Sequence, residues 1–132
     1  MLLKIKPESE TPIYQQVRDQ IVEGVAAGVL TQGYPLPSVR ELARDIGVNY
    51  HTVNKAYTLL RDEGYVRVYG RRGAVIAKPP AVDEAFIKDM ETILVKLMAE
   101  AKSKGMEPDE VVRFAERLAI TYEARRENGG TE

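Results

Sequence analysis

The first apolar residues of the chain recur at every fourth position, which places them on one face of a helix. The repeat consists of Ile13, Val17, Ile21 and Val25. Thr11 and Pro12 precede it. Thr is a residue type that caps a helix, and Pro suits the first helical position. The pattern predicts a first helix that ends near Gly28. A rigid, non-helical connector follows at residues 33–37, which contain two prolines.

Two shorter amphipathic segments follow, separated by a tight turn. Ser38 with Glu41 three positions later forms a capping box, and this second helix ends at Gly47. Asn49 is a good cap for a third helix over about residues 50–63. The predicted buried positions are Val39, Leu42, Ala43 and Ile46 in the second helix, and Val53, Ala56, Tyr57 and Leu60 in the third.

A short β-hairpin is predicted next. Residues 65–69 alternate and are β-favouring, residues 74–77 are apolar, and Gly70-Arg71-Arg72-Gly73 between them forms a tight turn. Helix, short helix, turn, helix and hairpin together predict a winged helix-turn-helix. Pro79-Pro80 then forms a stiff linker, so residues 1–80 are expected to be one domain.

Two further amphipathic helices are predicted in residues 81–132. The first covers about residues 83–104, Gly105 breaks it, and Pro108 opens the second, with residues 127–132 as a frayed polar tail. The fold class is therefore mainly α with a small β-hairpin: an N-terminal winged helix-turn-helix domain and a C-terminal antiparallel two-helix segment.

This two-helix segment buries too little apolar surface to be more than marginally stable by itself. A second copy of the chain would cover its apolar stripe, so a homodimer is expected. The alternative is that both helices pack on their own N-terminal domain. The predicted dimerisation residues are Phe86, Met90, Ile93, Leu94, Leu97, Val111, Ala115, Leu118 and Tyr122.

Charge is divided unevenly along a chain whose formal net charge is −1. Residues 1–80 carry an excess of Lys and Arg, and residues 81–132 an excess of Asp and Glu. A basic first part and an acidic second part suggest two different roles. The basic part is the one that carries the predicted helix-turn-helix.

Several other classes of protein are disfavoured. The chain has no cysteine and a single histidine, His51, so neither a metal site nor any other cofactor is expected. No apolar run is long enough to span a membrane and the start does not resemble a signal peptide, so a cytoplasmic location is expected. No nucleophile–base pair, phosphate loop or paired carboxylates are found, so an enzyme is not expected.

The candidate DNA-reading residues lie on the third helix, on the hairpin turn and at the start of the second helix. Asn can pair with adenine, Lys can reach guanine, and the methyl group of Thr can contact thymine. Arginines between glycines suit a phosphate or a narrow minor groove. The candidates read directly from the pattern are Asn49, Tyr50, His51, Thr52, Asn54, Lys55, Arg71, Arg72 and Arg40.

Four ordered blocks resemble the GntR family of bacterial regulators. They are residues 12–17 (PIYQQV), 36–43 (LPSVRELA), 48–57 (VNYHTVNKAY) and 60–66 (LRDEGYV), and the resemblance covers about residues 10–78. It implies a winged-helix DNA-binding domain and a homodimer on an inverted-repeat operator. It further implies DNA contacts by Ser38, Arg40, residues near the start of the third helix, and Gly73.

The short tail of two helices, and Asn49 followed by Thr-Val-Asn-Lys-Ala, resemble the YtrA-type subfamily. Many family members carry Ser-Arg where this chain has Asn49-Tyr50, so the base contact of that arginine is not carried over. The expected function is a transcriptional regulator, a repressor by family resemblance, that binds double-stranded DNA. The alternatives are the same dimer controlled by a small-molecule effector, and a winged helix used only for protein contacts.

Overall fold

The computed structural model describes residues 2–69 and 73–129, and the side chains of these residues as far as position 122. Its elements in chain order are α1 (Ile13–Ala26), β1 (Pro35–Leu36), α2 (Val39–Ile46), α3 (Tyr50–Asp62), β2 (Val66–Val68), β3 (Ala74–Ile76), α4 (Glu84–Ser103) and α5 (Pro108–Gly129). The predicted order of helices and hairpin is confirmed.

The core lies between α1, α2, α3 and a small sheet. Val17 and Ile21 of α1 are fully buried, as are Val53 and Leu60 of α3. These residues come from the helical repeats of the sequence, so the predicted apolar faces are the faces that pack. Burial of each such side chain contributes about 1.5–3 kcal/mol to folding.

The start of α1 differs from the prediction. Pro12, not Thr11, occupies the N-cap position, and no side chain caps the helix there. The carbonyl oxygen of Thr11 instead accepts a 2.9 Å hydrogen bond from the side-chain amide of Gln16. The prediction that Thr11 caps the helix is therefore wrong.

The sheet has three strands where the sequence predicted a two-stranded hairpin. Its order is β1-β3-β2, with both pairings antiparallel, and Pro35 and Leu36 lie opposite Val75 and Ala74. The connector at residues 33–37 thus supplies an additional edge strand. An edge position tolerates Pro35, because one side of an edge strand needs no backbone donor.

The turn between α2 and α3 has the caps that the sequence predicted. The Oγ of Ser38 accepts a 3.1 Å hydrogen bond from the backbone N–H of Glu41, and the Oδ1 of Asn49 accepts one of 2.7 Å from His51. Gly47 ends α2 at a φ of 68°, in the left-handed region that favours glycine. The reversal is therefore tight, and it brings the first turns of α2 and α3 to the same side of the domain.

The two C-terminal helices contact each other but leave their apolar residues exposed. No residue of α4 or of the described part of α5 is buried, and only Met98, Ala101 and Val111 are partly covered. The predicted tail at 127–132 is wrong in part, since α5 continues to Gly129. The Glu, Ala and Arg residues that lead into it favour a helix. Within the described ranges no helix has the length and apolar character needed to cross a membrane.

Candidate nucleic-acid interface

A groove of about 640 Å³ lies between the starts of α2 and α3 and the two strands of the hairpin. Its walls are formed by polar, aromatic and small side chains from all three elements. The residues that line it are Ser38, Val39, Arg40, Glu41, Tyr50, Tyr57, Val68, Gly73 and Ala74. The groove thus brings together four predicted DNA-binding residues: Ser38, Arg40, Tyr50 and Gly73.

Ser38 and Arg40 occupy the first turn of α2 at the groove wall. The hydroxyl oxygen of Ser38 accepts the bond from Glu41, and its own O–H can still be donated to a phosphate. Arg40 is exposed, and within the described part of the chain its guanidinium makes no hydrogen bond or ion pair. Its five N–H donors are therefore available to an anionic or base-edge acceptor.

The floor of the groove is fixed by Tyr57. This ring is buried, and its hydroxyl group donates a 2.7 Å hydrogen bond to the carbonyl oxygen of Pro37. Burial, together with the negative charge of Glu41, raises the pKa of Tyr57 well above its ordinary value. Tyr57 is thus a neutral donor that ties α3 to the residue just before the Ser38 cap.

The start of α3 presents several of the predicted reading residues. His51, Asn54 and Lys55 are exposed, whereas Thr52 is partly buried. The side-chain oxygen of Asn49 accepts the capping hydrogen bond, and the side-chain N–H₂ group of Asn49 can still donate. Asn49 therefore serves as a cap in this structure. A bidentate contact with adenine needs the same side-chain oxygen, so it would compete with the cap.

Lys55 is directed towards α1. Its ammonium nitrogen lies 4.0 Å from the centre of the Tyr14 ring, a cation–π contact. The sequence predicted Lys55 as a candidate for reading guanine. Held at this position, the charge of Lys55 lies at the junction of α1 and α3.

The wing is the hairpin formed by β2 and β3, and the structure describes it on both sides of residues 70–72. Gly73 has a φ of 95°, in the region that favours glycine, which explains this residue at the groove edge. Val68 at the end of β2 and Tyr69, which follows it, are exposed, and Val68 lines the groove. The predicted contacts of Arg71 and Arg72 lie outside the described residues.

The sequence interpretation missed three residues of this surface. Tyr57 was predicted as core packing without its hydrogen bond to Pro37, and neither Tyr14 nor Val68 was selected. The signal for Val68 is an apolar residue on the alternating strand just before the turn. The signal for Tyr14 was weaker, because its contact with Lys55 joins two helices far apart in sequence.

Comparisons with known proteins identify relatives of this chain. The sequence model described as "Bacterial regulatory proteins, gntR family" matches residues 13–76. The HTH-type transcriptional repressor YtrA of Bacillus subtilis (strain 168) is 31% identical over 129 residues, which covers 96% of this chain and 99% of the relative.

Two solved structures extend the likeness to the fold. A GntR-family transcription factor, YtrA from Sulfolobus acidocaldarius, has 42% identity and a TM-score of 0.64 over 75% of this chain and 99% of its own. A protein from Listeria monocytogenes EGD-e described as a transcriptional antiterminator has 28% identity and a TM-score of 0.85, with 92% of each chain covered. The second likeness includes α4 and α5, so the two-helix segment recurs with the winged domain.

Proposed function

This chain belongs to the GntR family of bacterial regulatory proteins, and from that premise we propose that it is a homodimeric repressor of an inverted-repeat operator. The first turn of α3 enters the major groove of the DNA, and the wing lies along the backbone or in the minor groove. The single observation that carries the proposal is the groove that joins the starts of α2 and α3 to the wing.

The polar side chains around this groove support base reading. Arg40 keeps all of its donors, and His51 and Asn54 are exposed on the helix that would enter the DNA. Ser38 and Gly73 stand at the groove edges, where a hydroxyl donor and a close backbone approach suit a phosphate. The proposed DNA-binding set remains the nine residues read from the pattern together with Ser38 and Gly73.

The exposed apolar residues of α4 and α5 support a homodimer. Side chains such as Phe86, Ile93, Leu97 and Leu118 are each more than half exposed, far from the buried state that residues of this type favour. Most large exposed apolar side chains of the described residues lie in α4, α5 and the turn between them. Soluble proteins rarely leave a patch of this extent uncovered. A second copy supplies an identical apolar stripe, and two copies form a four-helix bundle.

The same observations support a division of the chain at residue 80. The winged domain, residues 1–80, holds every buried apolar residue of the described chain. Residues 81–132 would acquire a core only when a second copy is present. In this proposal the N-terminal domain reads DNA and the C-terminal segment sets the distance between two reading helices.

The DNA-binding proposal is tested by selecting duplexes from a randomised library and titrating the selected sequence by fluorescence anisotropy at several salt concentrations. We expect an inverted repeat whose half-sites are about one helical turn apart. Arg40→Ala weakens binding to the selected duplex by about 1–3 kcal/mol. Arg113→Ala is the matched control, since Arg113 pairs with Asp109 on α5, away from the groove. Selection of no sequence, or equal losses in both variants, would contradict the proposal.

The dimer is tested by light scattering after gel filtration at micromolar concentration. The unaltered chain is expected to have twice the mass of one chain, and Leu94→Glu is expected to be monomeric because it places a charge in the apolar stripe. Val29→Glu is the control, since Val29 is also about half exposed but lies in the N-terminal domain. If the unaltered chain is monomeric, the proposed homodimer is wrong.

A further inference from the structure

The guanidinium group of Arg40 lies over an aromatic ring. Its central carbon is 5.8 Å from the centre of the Tyr50 ring, within the range of a cation–π contact. Arg40 stands in the first turn of α2 and Tyr50 is the first residue of α3. The contact therefore spans the helix-turn-helix turn and depends on the reversal at Gly47.

The pair of side chains forms a ridge between two depressions. One is the groove that faces the wing, and the other, of about 460 Å³, is lined by Arg40, Ala43, Arg44, Val48 and Tyr50. Arg40 and Tyr50 line both. Arg40 and Tyr50 therefore border the surface that the proposed function assigns to DNA.

The chemistry of the contact suits an arginine that must read a base. A carboxylate partner would occupy the N–H donors of Arg40, whereas the face of a ring attracts the charge and leaves those donors in place. Bidentate recognition of guanine uses two such donors in a fixed orientation. Restricting the side chain before binding reduces the entropy lost on binding.

The Tyr50 ring also contacts its neighbour His51. Its ring meets the ring of His51 edge to face, with the centres 5.5 Å apart and the planes at 86°. Within the described part of the chain the Tyr50 hydroxyl makes no hydrogen bond. The contacts of Tyr50 with Arg40 and His51 are made by its ring.

We propose that Tyr50 is a positioning residue that sets sequence specificity by holding the guanidinium of Arg40 for a guanine contact. This inference rests on the proposed function and assigns to Tyr50 a role that acts through Arg40. It predicts that the aromatic ring matters and the hydroxyl group does not.

The test compares Tyr50→Phe with Tyr50→Leu, each alone and combined with Arg40→Ala. The probes are the duplex that the unaltered chain selects from a randomised library, and an unselected duplex of equal length. Tyr50→Phe should stay within about twofold of the unaltered chain on the selected duplex. Tyr50→Leu should bind it about 5- to 30-fold more weakly, the range for a cation–π contact as it is desolvated. Affinity for the unselected duplex should be unchanged in both.

The combined variants separate positioning from direct contact. In the Arg40→Ala background, Tyr50→Leu should add less than about a twofold loss, since neighbouring residues that act together are not additive. The inference is overturned if Tyr50→Leu causes the same loss of affinity in the Arg40→Ala background as it does alone. It is also overturned if Tyr50→Leu alone binds the selected duplex as tightly as the unaltered chain does. If the unaltered chain selects no sequence, the proposed function fails and the inference with it. Thermal melting checks folding, and Tyr50→Met is a second non-aromatic variant.

Discussion

The hydroxyl group of Tyr57 donates a 2.7 Å hydrogen bond to the carbonyl oxygen of Pro37, across the junction of α3 and the start of α2. Pro37 directly precedes Ser38, the residue that caps α2. The bond therefore fixes the chain at the point where the candidate DNA-binding residues of α2 begin. A core tyrosine thus links the packing of the domain to the shape of its surface groove.

Removal of this hydroxyl group should destabilise the domain without emptying the core. Tyr57→Phe leaves the carbonyl of the partly buried Pro37 without this donor, at an expected loss of about 0.5–1.5 kcal/mol in the free energy of unfolding. Urea denaturation measures the loss. Tyr69→Phe is the control, since Tyr69 is half exposed on the wing and should change stability by less than about 0.5 kcal/mol. Equal stability of Tyr57→Phe and the unaltered chain would show that the bond contributes nothing.

Alkaline pH should weaken the fold through the same residue. Burial raises the pKa of Tyr57 above its ordinary value of about 10, so the folded chain holds this proton more tightly than the unfolded chain. The contribution of Tyr57 is complete below about pH 10 and is lost as pH rises above it, at up to about 1.4 kcal/mol per pH unit.

The measurement for this pH dependence is denaturant unfolding from pH 8 to 11 of the unaltered chain and of Tyr57→Phe. Other groups titrate in both proteins, so the difference between the two curves isolates Tyr57. We expect the stability advantage of the unaltered chain to shrink above about pH 10. An advantage that stays constant over this range would refute the assignment of the shift to Tyr57.

The helices were predictable because their apolar repeats are long enough to define a face. Val53, Ala56, Tyr57 and Leu60 fall at helical spacing, and all four are buried. The caps at Ser38 and Asn49 were predictable for a related reason, since a cap depends on residues two or three positions away. Local rules of this kind need no knowledge of the tertiary structure.

Features that depend on distant residues were not predictable from the pattern. Strand β1 has two residues, too few for any period, and it forms only because β3 lies beside it. The contact between Arg40 and Tyr50 joins two helices across a turn whose angle the sequence does not state. The candidate site was therefore found by residue type and position, and its internal contacts required the structure.

The ion pair between Arg18 and Glu63 should stabilise the junction of α1 with the end of α3. The guanidinium donates to both carboxylate oxygens of Glu63, and this hydrogen bonding raises the pKa of Arg18 above its ordinary value. Both side chains are mostly shielded from solvent. Glu63→Gln should lower the free energy of unfolding by about 1–2 kcal/mol, since hydrogen bonds to charged groups are among the stronger ones.

Its control is Asp62→Asn, which removes the neighbouring pair of Arg61 and Asp62. Both partners of that pair are more than half exposed, so the expected change is below about 1 kcal/mol. Urea denaturation of the two variants at neutral pH gives the comparison. A larger loss in Asp62→Asn than in Glu63→Gln would mean that solvent shielding does not decide the strength of these pairs.

Disruption of the dimer should weaken operator binding through loss of the second half-site. In the proposed dimer, binding of one winged domain makes binding of the other intramolecular, so the full operator is bound far more tightly than a single half-site. Leu94→Glu should bind the full operator and a single half-site with similar affinity. The slope of log affinity against log salt should fall by about half, because one domain neutralises about half as many phosphates.

Fluorescence anisotropy on full-operator and half-site duplexes tests this, with Val29→Glu as the control expected to behave as the unaltered chain. A monomeric Leu94→Glu that still prefers the full operator would show that the DNA itself, and not the α4 and α5 stripe, brings the two domains together.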